Sequence, residues 1–519
     1  MNSTEPQANV GTDVFVVHGV DPEVQAYAMA KYSRSSLSMR ESLKELNETK
    51  AEKFLNTFYF QYGHRSIADL AHIAMAIEKL SLLAATIVVD EQRWDGQERS
   101  TRYQDFKKSG YYIPKFGGNG ELAARYRETI EFLFSEYREF SELMFQYLVT
   151  QTPKPEEMKQ EAYERTLRAR AFDISRYILP LATNTSLGQI VNARTLETQV
   201  SRLLSHTHSE VRELAAKMKA AAREPSYNVN HEAFRTLVEA IRAKDESLGE
   251  LAEVQLLRDV KASPTLVKYA EQNQYEMTTR NELRQAAGEL MKGAAIEQAP
   301  TVDLLDEVPL EIDLATTLLY EHCHYSFRQL QREVEGLSAE RRAEIIELGM
   351  RHRGRHDELL RAFSAGQQFR FDILMDIGGY RDMHRHRRCT QIGQAYTFAH
   401  GFDTPAEISA AGHAGRYGAT MRQAAEVAHE LVPKLEQTPG AEAEDVQYLI
   451  PLAYRKRTLF KMDFAEVVYI SELRTTPAGH YSYRKVAWDM YEATAKRYPG
   501  LAKYFRVHDI HEPVDLLQR

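Results

Sequence analysis

The sequence predicts an α+β fold built from two homologous, helix-rich halves. A hexapeptide occurs twice, as YILPLA at Tyr177–Ala182 and as YLIPLA at Tyr448–Ala453, 271 positions apart. Further blocks repeat in the same order with different spacings, as a duplication looks once its loops have diverged. Long helical patterns such as Gly120–Val149 and Asn192–Ala222 outnumber the short strand candidates.

Each half opens on a short apolar strand candidate and a proline at a helix entry, in VFVVHGVDPEVQ (Val14–Gln25) and VDLLDEVPLEID (Val302–Asp313). Asp21, Pro22 and Glu23 read as an N-cap, a first-turn proline and an acidic residue suited to the helix dipole. Asn47 and Ser338 are the next candidate caps, and Gly63 and Gly354 each follow 16 residues later. That spacing predicts a four-turn helix ending on a glycine in both halves. The expected boundaries are 1–225 and 295–519, with 226–294 as a helical connector containing LAEVQLLRDV and RNELRQAAGELMKG.

Hydrophobic content of 43% and charged content of 27% are ordinary for a globular chain. Net charge is −8, which argues against a general nucleic-acid binder. The N-terminus lacks an apolar signal core and the longest apolar run, Leu80–Val89, is too short for a bilayer. With only two cysteines, Cys323 and Cys389, a reducing cytoplasm is the expected location. No dinucleotide-binding glycine motif, P-loop or nucleophile elbow is present. His322 and His324 flank Cys323, but residues two apart on a helix do not converge, so no metal centre is expected.

Against that acidic background, His384-Arg385-His386-Arg387-Arg388 concentrates positive charge. Adjacent guanidinium groups suit a phosphate or carboxylate, so the run is either an anion site or a solvated turn. A second Arg-His-Arg, Arg351–Arg353, falls at a predicted helix end and reads as structural. Glu98, Ser100 and Arg102 alternate along a stretch expected to be extended, which would turn all three to one face. Arg194, Thr198 and Arg202 share one face of a predicted helix, where spacing alone favours solvent.

As a set these motifs resemble the flavin-dependent thymidylate synthase family. Its signature is Arg-His-Arg, seven residues and a serine, with Arg-Tyr one residue on, between a Gly-His-x-Ser helix end and an Asn-Ala-Arg helix. The first half carries Gly63-His64-Arg65-Ser66, Glu98, Ser100, Arg102-Tyr103, Arg176, Asn192-Ala193-Arg194 and Arg202. Where Arg-His-Arg belongs, however, it has Asp90-Glu91-Gln92. The second half keeps Arg385-His386-Arg387 but has Ala395, Thr397, Gln447 and Asp463-Phe464-Ala465 at the other positions, with only Arg474 persisting.

The resemblance implies two halves with the fold of that family and one composite site shared between them. It implies FAD held by His64, Ser66, Asn192, Arg194, Arg385, His386 and Arg387. A uridine nucleotide would be held by Glu98, Ser100, Arg102, Arg176, Arg202 and Arg385, with Ser100 and Arg202 nearest the chemistry. The implied reaction is methylation of dUMP, with methylenetetrahydrofolate as carbon donor and NADPH as reductant. The implied assembly is a homodimer whose four halves imitate a tetramer, binding neither nucleic acid nor membrane. The alternative is a non-catalytic homologue that binds FAD or a nucleotide.

Overall fold

The computed structural model describes residues 15, 17, 19–31, 39, 40, 65–107, 109–354 and 357–517. They fall into two compact units. One comprises Met1–Ala74, Ile190–Val200 and Lys217–Ala270; the other comprises Met75–Gln189, Ser201–Ala216 and Glu271–Arg519. No helix among the described residues is long and apolar enough to cross a membrane.

In the first unit the proline-entered helix is present at Pro22–Lys31. Asp21 pairs with Arg258 at 2.6 Å. The Glu23 carboxylate accepts from the Thr265 and Leu266 amides and the Ser263 hydroxyl, at 2.9, 2.7 and 3.0 Å. Two helices of the expected connector, His231–Arg242 and Glu246–Leu256, form a hairpin here. They meet closely at Gly249, where any Cβ would lie 2.6 Å from that of Arg242.

The repeat is legible in the sheets. Strands β1 (His72–Ser81), β2 (Asp95–Glu98) and β3 (Asn184–Asn192) form one sheet in the order β1-β3-β2. The other contains β4 (Val302–Leu304), β5 (Phe369–Asp376), β6 (Thr390–Gly393) and β7 (Arg455–Met462), in the order β4-β5-β7-β6. Without β4 the two orders are the same. β1 ends on Ser81, whose hydroxyl caps the helix Leu82–Val88. β5 ends on Asp376, whose carboxylate caps the helix Ile377–Met383.

In the second unit the two hexapeptides pair with each other. Leu181 N–H donates to Ile450 O, and Leu452 N–H donates to Leu179 O, at 2.9 and 3.0 Å. Ala182 N–H donates to Tyr448 O, and Ala453 N–H donates to Tyr177 O. Each bond is the other's image under the 271-residue shift, so a local two-fold axis passes between Pro180 and Pro451, which form the bridge. The helices Gly120–Gln151 and Ala414–Glu436 bury Tyr137, Phe140, Tyr417 and Leu431 in the core that also takes both hexapeptides. The halves therefore share a core.

Several expectations need correction. The four-turn helix after Ser338 stops at Leu348, because Gly349 is pressed against Phe363 and Leu318. Arg351 and His352 lie beyond it and pair with Glu282 at 2.5 and 2.9 Å, a surface role. The pattern Asn192–Ala222 is two helices, Ala193–Leu204 and Ser209–Arg223. Asn47 and Gly63 lie outside the described residues.

Asp376 carries a pH signature. Burial pushes its carboxyl up to about 6, against opposing hydrogen bonds from Ser482 and the Gly379 amide. A raised acid favours the fold below the unfolded value, near 4, and that advantage is lost as pH rises through about 6. Between those two values the advantage amounts to about 3 kcal/mol. Asp376→Asn is expected to flatten the stability profile between pH 4 and 6, which denaturation midpoints across that range measure.

Candidate functional site

In the second unit, β2 delivers Glu98 to the helix Ile377–Met383 of the other half. Glu98 forms a buried ion pair with Arg381. Arg381 also donates to Thr101 Oγ1 at 3.2 Å, and Arg176 donates to the same oxygen at 3.1 Å. Arg176 and Arg102 in turn share Asp173, each through Nε at 3.2 Å. Arg102 completes its bonding on the Tyr483 hydroxyl and the Ala478 carbonyl, at 2.9 and 3.2 Å.

Glu98 and Asp173 hold these three arginines directly and Asp382 acts on Arg102 and Arg176 through its charge, yet nitrogens are left without an acceptor. Arg176 Nη2 and Arg381 Nε are buried without a hydrogen-bond partner. His480 lies 3.7 Å from Asp173 but adds no positive charge at neutral pH, because burial pushes it down to about 3. Such a cluster favours an anion.

The basic run borders this cluster. A small open depression is lined by Thr86, Val89, Trp94, Gly96 and Glu98 of the first half, and by Arg381, His384, Arg385 and Arg387 of the second. Arg385 is exposed. Arg387 lies over the Trp94 ring at 4.4 Å, with its Nε buried and unpartnered. Burial and the neighbouring Arg385 push the Arg387 guanidinium down, against the pull of Asp95. His386 is instead built into the protein, accepting from Arg474 Nε at 2.8 Å and lying 3.5 Å from Glu466.

The remaining sequence-predicted residues belong to the other unit or are committed to partners within the chain. β2 ends at Glu98 and residues 101–103 form a turn, so Glu98, Ser100 and Arg102 do not alternate along one face. Ser100 Oγ accepts from the Arg102 amide at 3.2 Å. Arg202 is tied to Glu91 at 2.8 Å and to the Ile87 carbonyl at 3.0 Å. It is neither a solvent-face arginine nor a wall of the pocket.

Ser66, Asn192 and Arg194 belong to the first unit. There Asn192 caps its helix through the Thr195 amide at 2.8 Å, and Arg194 pairs with Asp69 at 3.4 Å. His64 lies outside the described residues. Asp463, at the Asn192 position of the second half, keeps the capping task, through the Glu466 amide at 2.9 Å, and pairs with Arg388 at 2.8 Å.

The acidic replacement in the first half is also paired. Asp90 binds Arg361 at 2.6 Å and His384 at 3.2 Å. The twin positions across the local two-fold axis are filled. Gly393 stands at the Glu98 position, and Tyr396, at the Thr101 position, packs under Lys456 at 4.1 Å. Burial pushes that lysine down to about 8.

Comparison with known proteins agrees with this duplication. The family model described as thymidylate synthase complementing protein matches residues 15–225 and again 311–500. The chain belongs to the thymidylate synthase complementing protein family. A UPF0159 protein of Chlamydia pneumoniae is 28% identical over 544 residues, spanning 98% of this chain and 94% of its own. A flavin-dependent thymidylate synthase of Clostridium tetani is 25% identical over 211 residues, 40% of this chain and 81% of its own. The crystal structure of flavin dependent thymidylate synthase ThyX from Helicobacter pylori, complexed with FAD and dUMP, aligns with a TM-score of 0.24 and 15% identity. That alignment covers 39% of this chain and 89% of the other.

Proposed function

We propose that this member of the thymidylate synthase complementing protein family binds FAD and a uridine nucleotide at one composite site per chain. Its reaction would be the methylation of dUMP with methylenetetrahydrofolate and NADPH. The halves are taken as residues 1–225 and 295–519, with 226–294 as the connector. The observation that carries the reading is a set of buried guanidinium nitrogens near Glu98, Thr101 and Trp94 that lack an acceptor. Arg176, Arg381 and Arg387 each keep a buried nitrogen without a hydrogen-bond partner. A phosphate-bearing ligand supplies the missing acceptors.

The residues present fit such a group. Arg385 and Arg387 line the pocket and would hold phosphate, while His386 would hold their loop through Arg474. When bound, FAD supplies the hydride chemistry, and the protein's part is to orient and polarise. Arg176 and Arg381 would hold the nucleotide and stabilise negative charge on the uracil. Asp173 keeps the guanidinium of Arg176 directed and Thr101 spaces it from Arg381. Their own burial, at 2% exposure for Arg176 and 7% for Arg381, limits water around them.

A yellow protein, or a colourless one that takes up FAD in titration, is expected, with reduced flavin reoxidised faster when dUMP and methylenetetrahydrofolate are added. Arg387→Ala and Arg385→Ala should each weaken binding about ten- to a hundred-fold, the loss of one charge-assisted contact. Failure to take up FAD overturns the proposal. A second reading, a binding protein without turnover, draws on the commitment of Glu98, Arg102 and Arg202 to partners within the chain. It is selected if FAD binds but its reduced form is indifferent to dUMP and folate.

A further inference from the structure

We propose that Trp94 is a positioning residue for ligand recognition: its indole, in place of a carboxylate, holds the Arg387 guanidinium ready for a phosphate group. This rests on the reading of the pocket as a nucleotide or flavin site. Most arginines of this neighbourhood are held by acids: Arg381 by Glu98, Arg102 and Arg176 by Asp173, Arg361 by Asp90, Arg202 by Glu91. An arginine held that way has spent both its charge and several of its donors. Arg387 makes no ion pair among the described residues; its guanidinium lies on the Trp94 face at 4.4 Å. Stacking on an aromatic face fixes the group while its N–H edge and its charge stay available.

The indole is itself rigidly seated. Its Nε1 donates to Gln189 Oε1 at 2.7 Å, a buried bond between β2's approach and β3. Gly96 packs directly on the ring, where a Cβ would stand 2.6 Å from Cη2 and Cζ2 and 2.3 Å from the Gly188 carbonyl. A fixed ring on a sheet is the support that a preorganised cation needs. The arrangement also crosses the halves. The first half has Asp90-Glu91-Gln92 in place of Arg-His-Arg, and two residues later it supplies Trp94 as the platform for the arginine of the second half. Trp94 is 4% exposed, so it acts through Arg387 rather than as a stacking surface for the ligand.

The chain has only two tryptophans, Trp94 and Trp488, which gives the proposal its own readout. In a Trp488→Phe protein, emission reports Trp94 alone. Its emission should change on titration with dUMP, saturating at the Kd found by equilibrium dialysis, and should change with inorganic phosphate only at higher concentration. Trp94→Leu should weaken dUMP and FAD binding about ten-fold, and Trp94→Phe, which keeps a ring, should restore most of it, with folding checked by circular dichroism. Bound dUMP that leaves Trp94 emission unchanged overturns the proposal, and that arm needs no change at Trp94. So does a folded Trp94→Leu protein of undiminished affinity. If dialysis finds neither dUMP nor FAD on the unaltered protein, the nucleotide reading fails and this inference with it.

Discussion

Asp173→Ala is expected to destabilise the protein by about 3–5 kcal/mol, the usual cost of leaving a buried ion pair half-broken. Asp173 is the carboxylate shared by Arg102 and Arg176, and Arg176 is only 2% exposed. Removing it leaves two guanidinium groups without the acid they are bonded to, one of them out of reach of water, with only Asp382 acting on them through its charge. Arg102 keeps the Tyr483 hydroxyl and the Ala478 carbonyl, so its share of the loss is smaller. Burial alone would raise the Asp173 carboxyl, but the charges of Arg176 and Arg102 and the Arg102 hydrogen bond hold it below the ordinary aspartate value. A lowered acid stabilises above the unfolded value, and that stability is lost as pH falls through the folded one. The gap between wild type and variant should therefore be widest near neutrality and narrow in acid. Urea midpoints at both pH values check it; equal midpoints at pH 7 would mean that the arginines find other partners.

What the sequence carried and what it withheld divide along one physical line. The duplication was legible because caps, prolines and a hexapeptide are local signals, and the hexapeptides turn out to pair with each other. Arg176, Arg385 and Arg387 were legible through resemblance to a motif. Asp173, Arg381 and Trp94 were missed, since each matters through a partner far along the chain: Arg102, Glu98 and Arg387. No spacing rule links such positions.

The stretch from Glu98 to Arg102, expected to be extended, turns at 101–103. Tertiary anchors, Arg102 on Asp173 and Thr101 under two arginines, impose the turn instead. The expected helix end at Gly354 failed similarly, because packing at Gly349 ends the helix first. The opposite charge at Asp90 and Glu91 was visible at once. Its meaning was not, because Arg361 and Arg202 lie 271 and 111 positions away.

That pairing sets up the last expected result, in which restoring the family signature does harm. Asp90→Arg, Glu91→His and Gln92→Arg together would rebuild Arg-His-Arg in the first half. If the acidic triplet were idle, the change would be neutral or would add a second anion site. The local charges point the other way. Asp90 faces Arg361 and His384, and Glu91 faces Arg202. Arginine at 90 would replace an attraction by repulsion from Arg361, and histidine at 91 would leave Arg202 without its acid. The Asp90 side chain is 35% exposed, so losing its pair costs between a surface bridge and a buried one, about 1–3 kcal/mol. Repulsion and the stranded Arg202 bring the expected total to roughly 2–5 kcal/mol. The twin positions could not use the added charge in any case, since Tyr396 and Lys456 fill them. The triple variant should therefore unfold at lower urea while its FAD uptake per chain does not rise. A variant as stable as the wild type that doubles its FAD uptake would show that the acidic triplet, and not the filled twin, is what limits the chain to one site.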